Sequence, residues 1–276
     1  MLASLRRAAP APALAALAAA LLFVPACAGF SVAGRHFAVH GIRMYYEVHG
    51  HGKPLLMLHG GTGNGMQFEH QLPAFSPRYR CIVPDCCAQG RTTDRPGPLT
   101  YHAMAEDMIA LLDHLHVKRA DVMGWSDGGN IGLDMAMHHP DRVDHLVTFG
   151  ANFQPDGLQP DDVEWNNTAT AQSFGNGMRN AWMSLNPQPE HYEDAMNKII
   201  AMWRTLPNWS LAELRQIRAK TLIVCGDHDL IRQDHSEQLA HAIPGAQLWI
   251  VPDSRHSVMV DRWEIVNPRV LEFFSR

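Results

Sequence analysis

Hydrophobic positions along this chain follow two patterns in turn. Short, nearly unbroken apolar runs bounded by turn residues recur at 55–58, 80–85, 120–125, 142–149 and 220–225. Runs of this length suit strands buried on both faces of a parallel sheet. Between them lie stretches with helical periodicity. The clearest is 101–116, where Met104, Met108, Leu111, Leu112 and Leu115 fall on one face and Glu106, Asp107 and Asp113 are turned elsewhere. That stripe predicts a core-facing amphipathic helix. Further helices are predicted over 67–75, over 129–138 with a stop at Pro140, over 234–242 and over 263–274. Residues 35–48 read as a hairpin turning at His40-Gly41, and 247–251 as the last strand. Regular strand–helix alternation up to 149 predicts a parallel sheet with right-handed crossovers.

The alternation stops at Gly150. From 151 to 218 there is no strand signal, only polar turns and helical stretches around 162–170, 172–185, 190–206 and 211–218. Trp165, Trp182, Trp203 and Trp209 all sit in this segment. A Trp-rich helical insertion between two strands predicts a cap over the carboxyl edge of the sheet. Most of its aromatics pack the insert onto the core, and a few line an apolar pocket. The expected organisation is thus a core of 29–150 and 219–276, with 151–218 inserted.

Composition narrows this picture. At 276 residues, 46% of them hydrophobic, the chain can bury one large core. A net charge of −5 and the absence of a basic run beyond the N-terminus exclude a nucleic-acid surface. The seventeen histidines show neither H-E-x-x-H nor paired Cys/His spacing, so no metal and no cofactor is expected. Residues 1–28 have the build of a signal peptide: Arg6-Arg7, an apolar stretch from Ala13 to Val24, and Ala26-Cys27-Ala28 as the cleavage site. The run is too short for a membrane span. Export to the periplasm or beyond is expected, with cleavage near Ala28; lipidation at Cys27 and a twin-arginine signal are the lesser alternatives. Of the cysteines left, Cys81 and Cys86 are too far apart on an extended strand to bridge, and a Cys86–Cys87 bond would be strained. Buried thiols are expected at Cys81, Cys86, Cys87 and Cys225.

Candidate chemistry centres on Gly124-Trp125-Ser126-Asp127-Gly128, placed where a strand gives way to a helix. This G-x-S-x-G pattern fits a nucleophile elbow, a turn so sharp that side chains at the flanking positions would collide. Such a turn holds the Ser126 hydroxyl clear of the backbone and aims the Asp127 amide, at a helix N-terminus, toward developing negative charge. A serine needs a neutral imidazole as base, and the imidazole needs an acceptor on its far nitrogen. Asp227 or Asp229, after the strand at 220–225, and His256, after the last strand, occupy the same sheet edge as Ser126. The glycine-rich loop His59-Gly60-Gly61-Thr62-Gly63 has no lysine for a phosphate and suits a bare backbone laid against a ligand. His59 itself is expected to be structural.

These motifs, His59-Gly60-Gly61, Gly124 to Gly129, Gly226-Asp227-His228-Asp229 and Pro252 to His256, resemble those of α/β-hydrolase-fold enzymes of the serine-esterase type, over nearly all of 36–274. The resemblance implies a mostly parallel eight-stranded sheet flanked by helices, with an inserted helical cap. It implies Ser126, Asp229 and His256 as catalytic triad, Asp227 as a turn-stabilising side chain, and the amides of Gly61 and Asp127 as oxyanion hole. Trp125, Trp165, Trp182 and Trp203 are the expected pocket residues. The implied activity is hydrolysis of a carboxylic ester or lactone of a small to medium apolar substrate through an acyl-enzyme. The same serine set also serves C–C bond hydrolases, cofactor-free haloperoxidases and aminopeptidases, and the fold includes non-catalytic ligand binders. Where relatives carry Asp-x-Arg-Gly-His-Gly-x-Ser, this chain has Asp85-Cys86-Cys87-Ala88-Gln89-Gly90-Arg91-Thr92, a departure that bears on packing and substrate preference.

Overall fold

A computed structural model describes residues 34–276. The expected signal segment therefore lies outside the described residues. Eight strands form one sheet: β1 (Arg35–Val39), β2 (Ile42–His49), β3 (Lys53–Leu58), β4 (Tyr79–Pro84), β5 (Ala120–Trp125), β6 (Val143–Phe149), β7 (Lys220–Gly226) and β8 (Gln247–Val251), in the order β1-β2-β4-β3-β5-β6-β7-β8. The hairpin β1–β2 and the β2–β4 pair are antiparallel. From β4 to β8 every neighbouring pair is parallel.

The apolar runs divide between two cores with the period of two that a strand dictates. Leu56, Leu58, Val122, Leu146 and Ile223 face one cluster, shared with helices α2 (Tyr101–His114), α3 (Asp127–His138) and α8 (Gln233–Ala242). Leu55, Met57, Met123, Trp125, Val147, Phe149, Leu222 and Val224 face the other, covered by α1 (Leu72–Phe75), α9 (Val258–Asp261) and α10 (Trp263–Phe274). Both faces of the central strands are thus dry, which is why their sequences read as unbroken apolar runs.

Some helices differ from the sequence expectation. The stretch 67–75 is split into a 3₁₀ turn, Gly65–Phe68, and the short α1. Pro73 is tolerated only in a first helical turn, so a new helix must start there. Helix α3 begins at Asp127 rather than Gly129. Between β6 and β7 lie α4 (Pro160–Thr168), α5 (Gly175–Leu185), α6 (Tyr192–Thr205) and α7 (Leu211–Leu214), with 3₁₀ turns between them and no named strand. The expected helix over 172–185 is interrupted at Gly175, whose φ of 74° belongs to the left-handed region. Cys81, Cys86, Cys87 and Cys225 are buried and free. Burial pushes the Cys81 and Cys225 thiols up to about 12 and Cys87 to about 11, which leaves them unreactive near neutral pH.

One buried histidine sets an acid limit on this fold. His235, on α8, accepts the Phe153 amide at Nε2 (3.0 Å) and stacks on the Phe153 ring at 3.9 Å between centroids. Accepting at Nε2 requires a neutral ring, and burial pushes its pKa from 6.5 down to about 4, with the Arg232 charge adding to the shift. The unfolded chain therefore binds more protons than the folded one across that interval. The resulting stability is complete above pH 6.5 and is lost as pH falls through 4, an effect of about 3 kcal/mol. Replacing the ring by His235→Gln should flatten the slope of unfolding free energy against pH between 6.5 and 4 in denaturant titrations. An unaltered slope would assign the acid limit to other groups.

Candidate active site

The order of the strands turns around at β3. From it the chain steps to β4 on one side and then returns to β5 on the other, so the loops leaving β3 and β5 open a crevice at the carboxyl edge. Ser126 stands there with φ 54° and ψ −116°, outside the conformations that L-residues normally occupy. Its amide donates to Phe149 O (2.8 Å), and its carbonyl accepts the Asn130 amide (3.0 Å). The glycines on either side are steric necessities. A Cβ on Gly124 would lie 2.2 Å from Gly128 O, and one on Gly128 would lie 2.1 Å from Leu58 O.

The β3 loop approaches from the neighbouring strand. A Cβ on Gly61 would meet Trp203 Cζ2 at 2.5 Å and Asp127 Oδ2 at 2.6 Å, so only a bare backbone fits beside the elbow. His59 holds this loop: its Nδ1–H donates to Gly60 O (2.8 Å) while Nε2 accepts the Cys86 amide (2.9 Å). Accepting at Nε2 requires a neutral ring, and burial pushes the His59 pKa down. This is the structural role expected of it.

The two aspartates after β7 separate cleanly. Asp227 accepts the amides of Asp253 (3.0 Å) and Ser254 (2.9 Å), which fasten the loop after β8 and hold its carboxyl below the usual range. Asp229 turns inward. Its Oδ1 accepts from His256 Nδ1 at 2.7 Å and from the Ile231 amide at 3.0 Å, and its Oδ2 takes the Gly226 amide at 3.3 Å. Both Asp229 and His256 are buried. Gly150 lies beneath the pair: a Cβ there would fall 2.6 Å from His256 Nδ1 and 3.1 Å from Asp229 Oδ2. Sequence reasoning passed over Gly150 as the point where alternation ends; its φ of 58° and this close approach are invisible in one sequence.

Ser126, His256, Gly61 and Asp127 line a single cavity, roofed by Asn166, Phe174, Met178, Trp203 and Leu206 of the helical insertion. The Asp127 carboxylate accepts from Tyr101 Oη (2.8 Å) and from Trp203 Nε1 (2.9 Å). Burial pushes its pKa up, against the lowering effects of Trp203, Tyr101 and the nearby His256. Asn166 Oδ1 is buried without a partner. Tyr101 and Asn166 carried no motif that could have singled them out.

Of the four tryptophans expected in the pocket, only Trp203 is among the lining residues. Trp125 points to the opposite face of the sheet, because on β5 it shares its parity with Met123; its Nε1 donates to His256 O (2.8 Å) and braces the histidine loop from below. Trp182 donates to Ala88 O (3.2 Å) and packs on Tyr192. Trp165 packs edge-on against Phe174, one layer behind the cavity wall. The atypical loop after β4 is anchored from both sides. Asp85 binds the Gly65 amide (2.8 Å) and Arg91, and Asn186 donates to Gly90 O and Thr92 O (3.1 Å each).

A strand–serine–helix turn beside a bare glycine loop, with a buried His–Asp pair on the same sheet edge, defines the layout of a hydrolase with a helical insertion. The family model of the alpha/beta hydrolase fold matches residues 53–212, and the chain belongs to that family. RutD of Caulobacter sp. (strain K31), whose name proposes a carbamate hydrolase, is 29% identical over 259 residues, covering 84% of this chain and 96% of its own. The serine hydrolase BPHL of Mus musculus is 26% identical, covering 90% of this chain and 88% of its own. Among solved structures, Est816, described as an N-acyl homoserine lactone degrading enzyme, superposes with a TM-score of 0.73 at 26% identity, over 87% of this chain and 100% of its own. These hydrolase relatives indicate an enzyme.

The contact under His256 yields a sharp expectation. Gly150→Ala forces a side chain into the His256–Asp229 pair at a left-handed position, and a misplacement of about 1 Å costs about 100-fold in rate. Turnover of p-nitrophenyl acetate should fall by at least that factor while the circular dichroism spectrum is kept. Wild-type turnover would show that the placement of the pair above Gly150 does not limit the rate.

Proposed function

We propose that this chain is a serine hydrolase acting on a carboxylic ester or lactone of a small to medium apolar substrate. The observation that carries the reading is the buried His256–Asp229 hydrogen bond opening onto the cavity that also holds Ser126. In the proposed reaction His256 takes the Ser126 proton as Oγ attacks the carbonyl carbon. Asp229 holds the ring with its proton on Nδ1 and stabilises the imidazolium that forms. The amides of Gly61 and Asp127 receive the oxyanion; that of Asp127 has no acceptor within its own helix because it lies in the first turn. His256 then returns the proton to the leaving alkoxide, and water activated by the same ring releases the acid from Ser126.

The apolar lining, Leu158, Phe174, Met178, Leu206, Leu230 and Ile231, suits an aliphatic acyl or lactone ring. The lactone-degrading description of Est816 supports the same substrate class. The export reading is carried forward on the residues of 1–28 and rests on them alone.

Ser126→Ala should lower kcat on p-nitrophenyl acylates and simple lactones by about 10⁶, and Asp229→Asn by about 10⁴. Full turnover in Ser126→Ala would remove the serine mechanism. For export, the mature N-terminus read by mass spectrometry should begin near Gly29, and a fully retained leader would reverse that inference.

A further inference from the structure

A second cluster of chemically competent side chains lies outside the cavity, where α2 crosses α3. His102 on α2 and His138 on α3 both aim Nδ1 at the same oxygen, Oδ1 of Asp134, at 2.9 Å and 3.1 Å. Asp134 is buried, whereas the two rings are about half exposed, at 56% and 46%. The three ligand atoms lie within 4.8 Å of one another. The geometry points to a surface site for a divalent transition-metal ion, zinc or a neighbour in the first row, held by His102, Asp134 and His138.

The chemistry of the donors argues for that class of ion. Two imidazoles and one carboxylate suit zinc, copper or nickel, whereas magnesium and calcium require oxygen ligands. Around a tetrahedral centre with bonds of about 2.0–2.2 Å, adjacent ligand atoms sit about 3.4 Å apart. The nitrogen–oxygen separations here need only widen by a few tenths of an ångström. Half-exposed rings have the rotational freedom to bring their two nitrogens to the same spacing. The arrangement rests on two helices in tight register: Asp134 and His138 share one face of α3 at i and i+4, and His102 faces them from the first turn of α2.

The surroundings fit a cation. Glu106, one turn along α2 from His102, places a carboxylate oxygen 3.9 Å from His102 Nε2, the nitrogen left over when Nδ1 binds metal. Carboxylates in that position commonly orient metal-bound imidazoles. The same Glu106 oxygen also accepts from His139 Nε2 at 2.6 Å, so it is held in place from the other side. His138 Nδ1 also lies 3.0 Å from Asp134 O; on losing its proton to take the metal it gives up that bond, and the carbonyl keeps its helical partner. The sequence concealed the site because His102 and Asp134 are 32 residues apart and match no ligand spacing. By bridging α2 to α3 about 10 Å along the helix from Asp127, the ion would fasten the helix that starts at the nucleophile.

The test uses tag-free, chelator-stripped full-length protein titrated with Zn²⁺ against a chromophoric chelator. Wild type should bind one equivalent and show a rise in thermal midpoint. The double substitution His102→Ala/His138→Ala should weaken binding by at least about tenfold and abolish the rise. Both rings are half exposed, so the variant should fold; His102→Gln/His138→Gln, which keeps side-chain volume, repeats the measurement independently. His228→Ala, which removes an exposed histidine elsewhere, should leave binding unchanged. No binding by wild type at millimolar Zn²⁺, or equal binding by either double variant, would overturn the site.

Discussion

The rest of this molecule is arranged around a backbone conformation that Ser126 would not adopt alone. Holding a non-glycine residue at φ 54° and ψ −116° costs on the order of 1–3 kcal/mol, and the surroundings must supply it. They do so through ordinary means: the Ser126 amide is tied to the end of β6, its carbonyl begins the hydrogen bonding of α3, and two glycines allow backbone to pass against backbone. Dry, doubly covered strands make those ties rigid. The sheet is thus a clamp for one turn, and its buried apolar runs are what close the clamp.

A second constraint couples the helical insertion to that turn. The Asp127 carboxylate is buried beside the elbow and would be costly there without donors. Tyr101 from the core and Trp203 from α6 supply them. Trp203 also lies where a Gly61 side chain would be, so the insertion, the β3 loop and the first turn of α3 meet at one carboxylate. Moving α6 away would leave Asp127 short of a donor, so this polar contact adds to the apolar packing of Phe174, Met178, Ile199 and Met202 in holding the roof over the elbow. The loop after β4 receives the same treatment from α5, through Trp182 and Asn186.

How much of this was legible in the sequence depended on the range of the interaction. Strand runs, the elbow and the assignment of 151–218 to helices follow local periodicity and local sterics, and the structure follows them closely. Helix ends shifted where Pro73 and Gly175 reset the backbone. The tryptophans show the limit. A large aromatic in an insertion predicts a pocket wall, yet Trp165 and Trp182 fill the layer behind the wall. Trp125 faces away because strand parity sends it to the other side of the sheet. Conversely, Tyr101, Asn166 and Gly150 reach the site only through tertiary approach, and no spacing rule marks them.

The histidines carry this point furthest, because the same residue pair recurs with different consequences. His256–Asp229, His145–Asp121, His40–Asp107 and His102–Asp134 all join imidazole Nδ1 to a carboxylate at 2.7–2.9 Å. What the far nitrogen meets decides the role. In His145 it is buried against Phe273 and Phe274 without a partner, beside an aspartate already shared with Lys53, and the pair simply fills the end of the sheet. In His102 it faces Glu106 at the surface, where a second imidazole converges on the same oxygen. In His256 the ring opens onto a cavity holding a strained serine. Pairing with a carboxylate therefore orients the ring and fixes its tautomer in each of these pairs, and the proposed catalysis requires in addition that the freed nitrogen be given something to deprotonate.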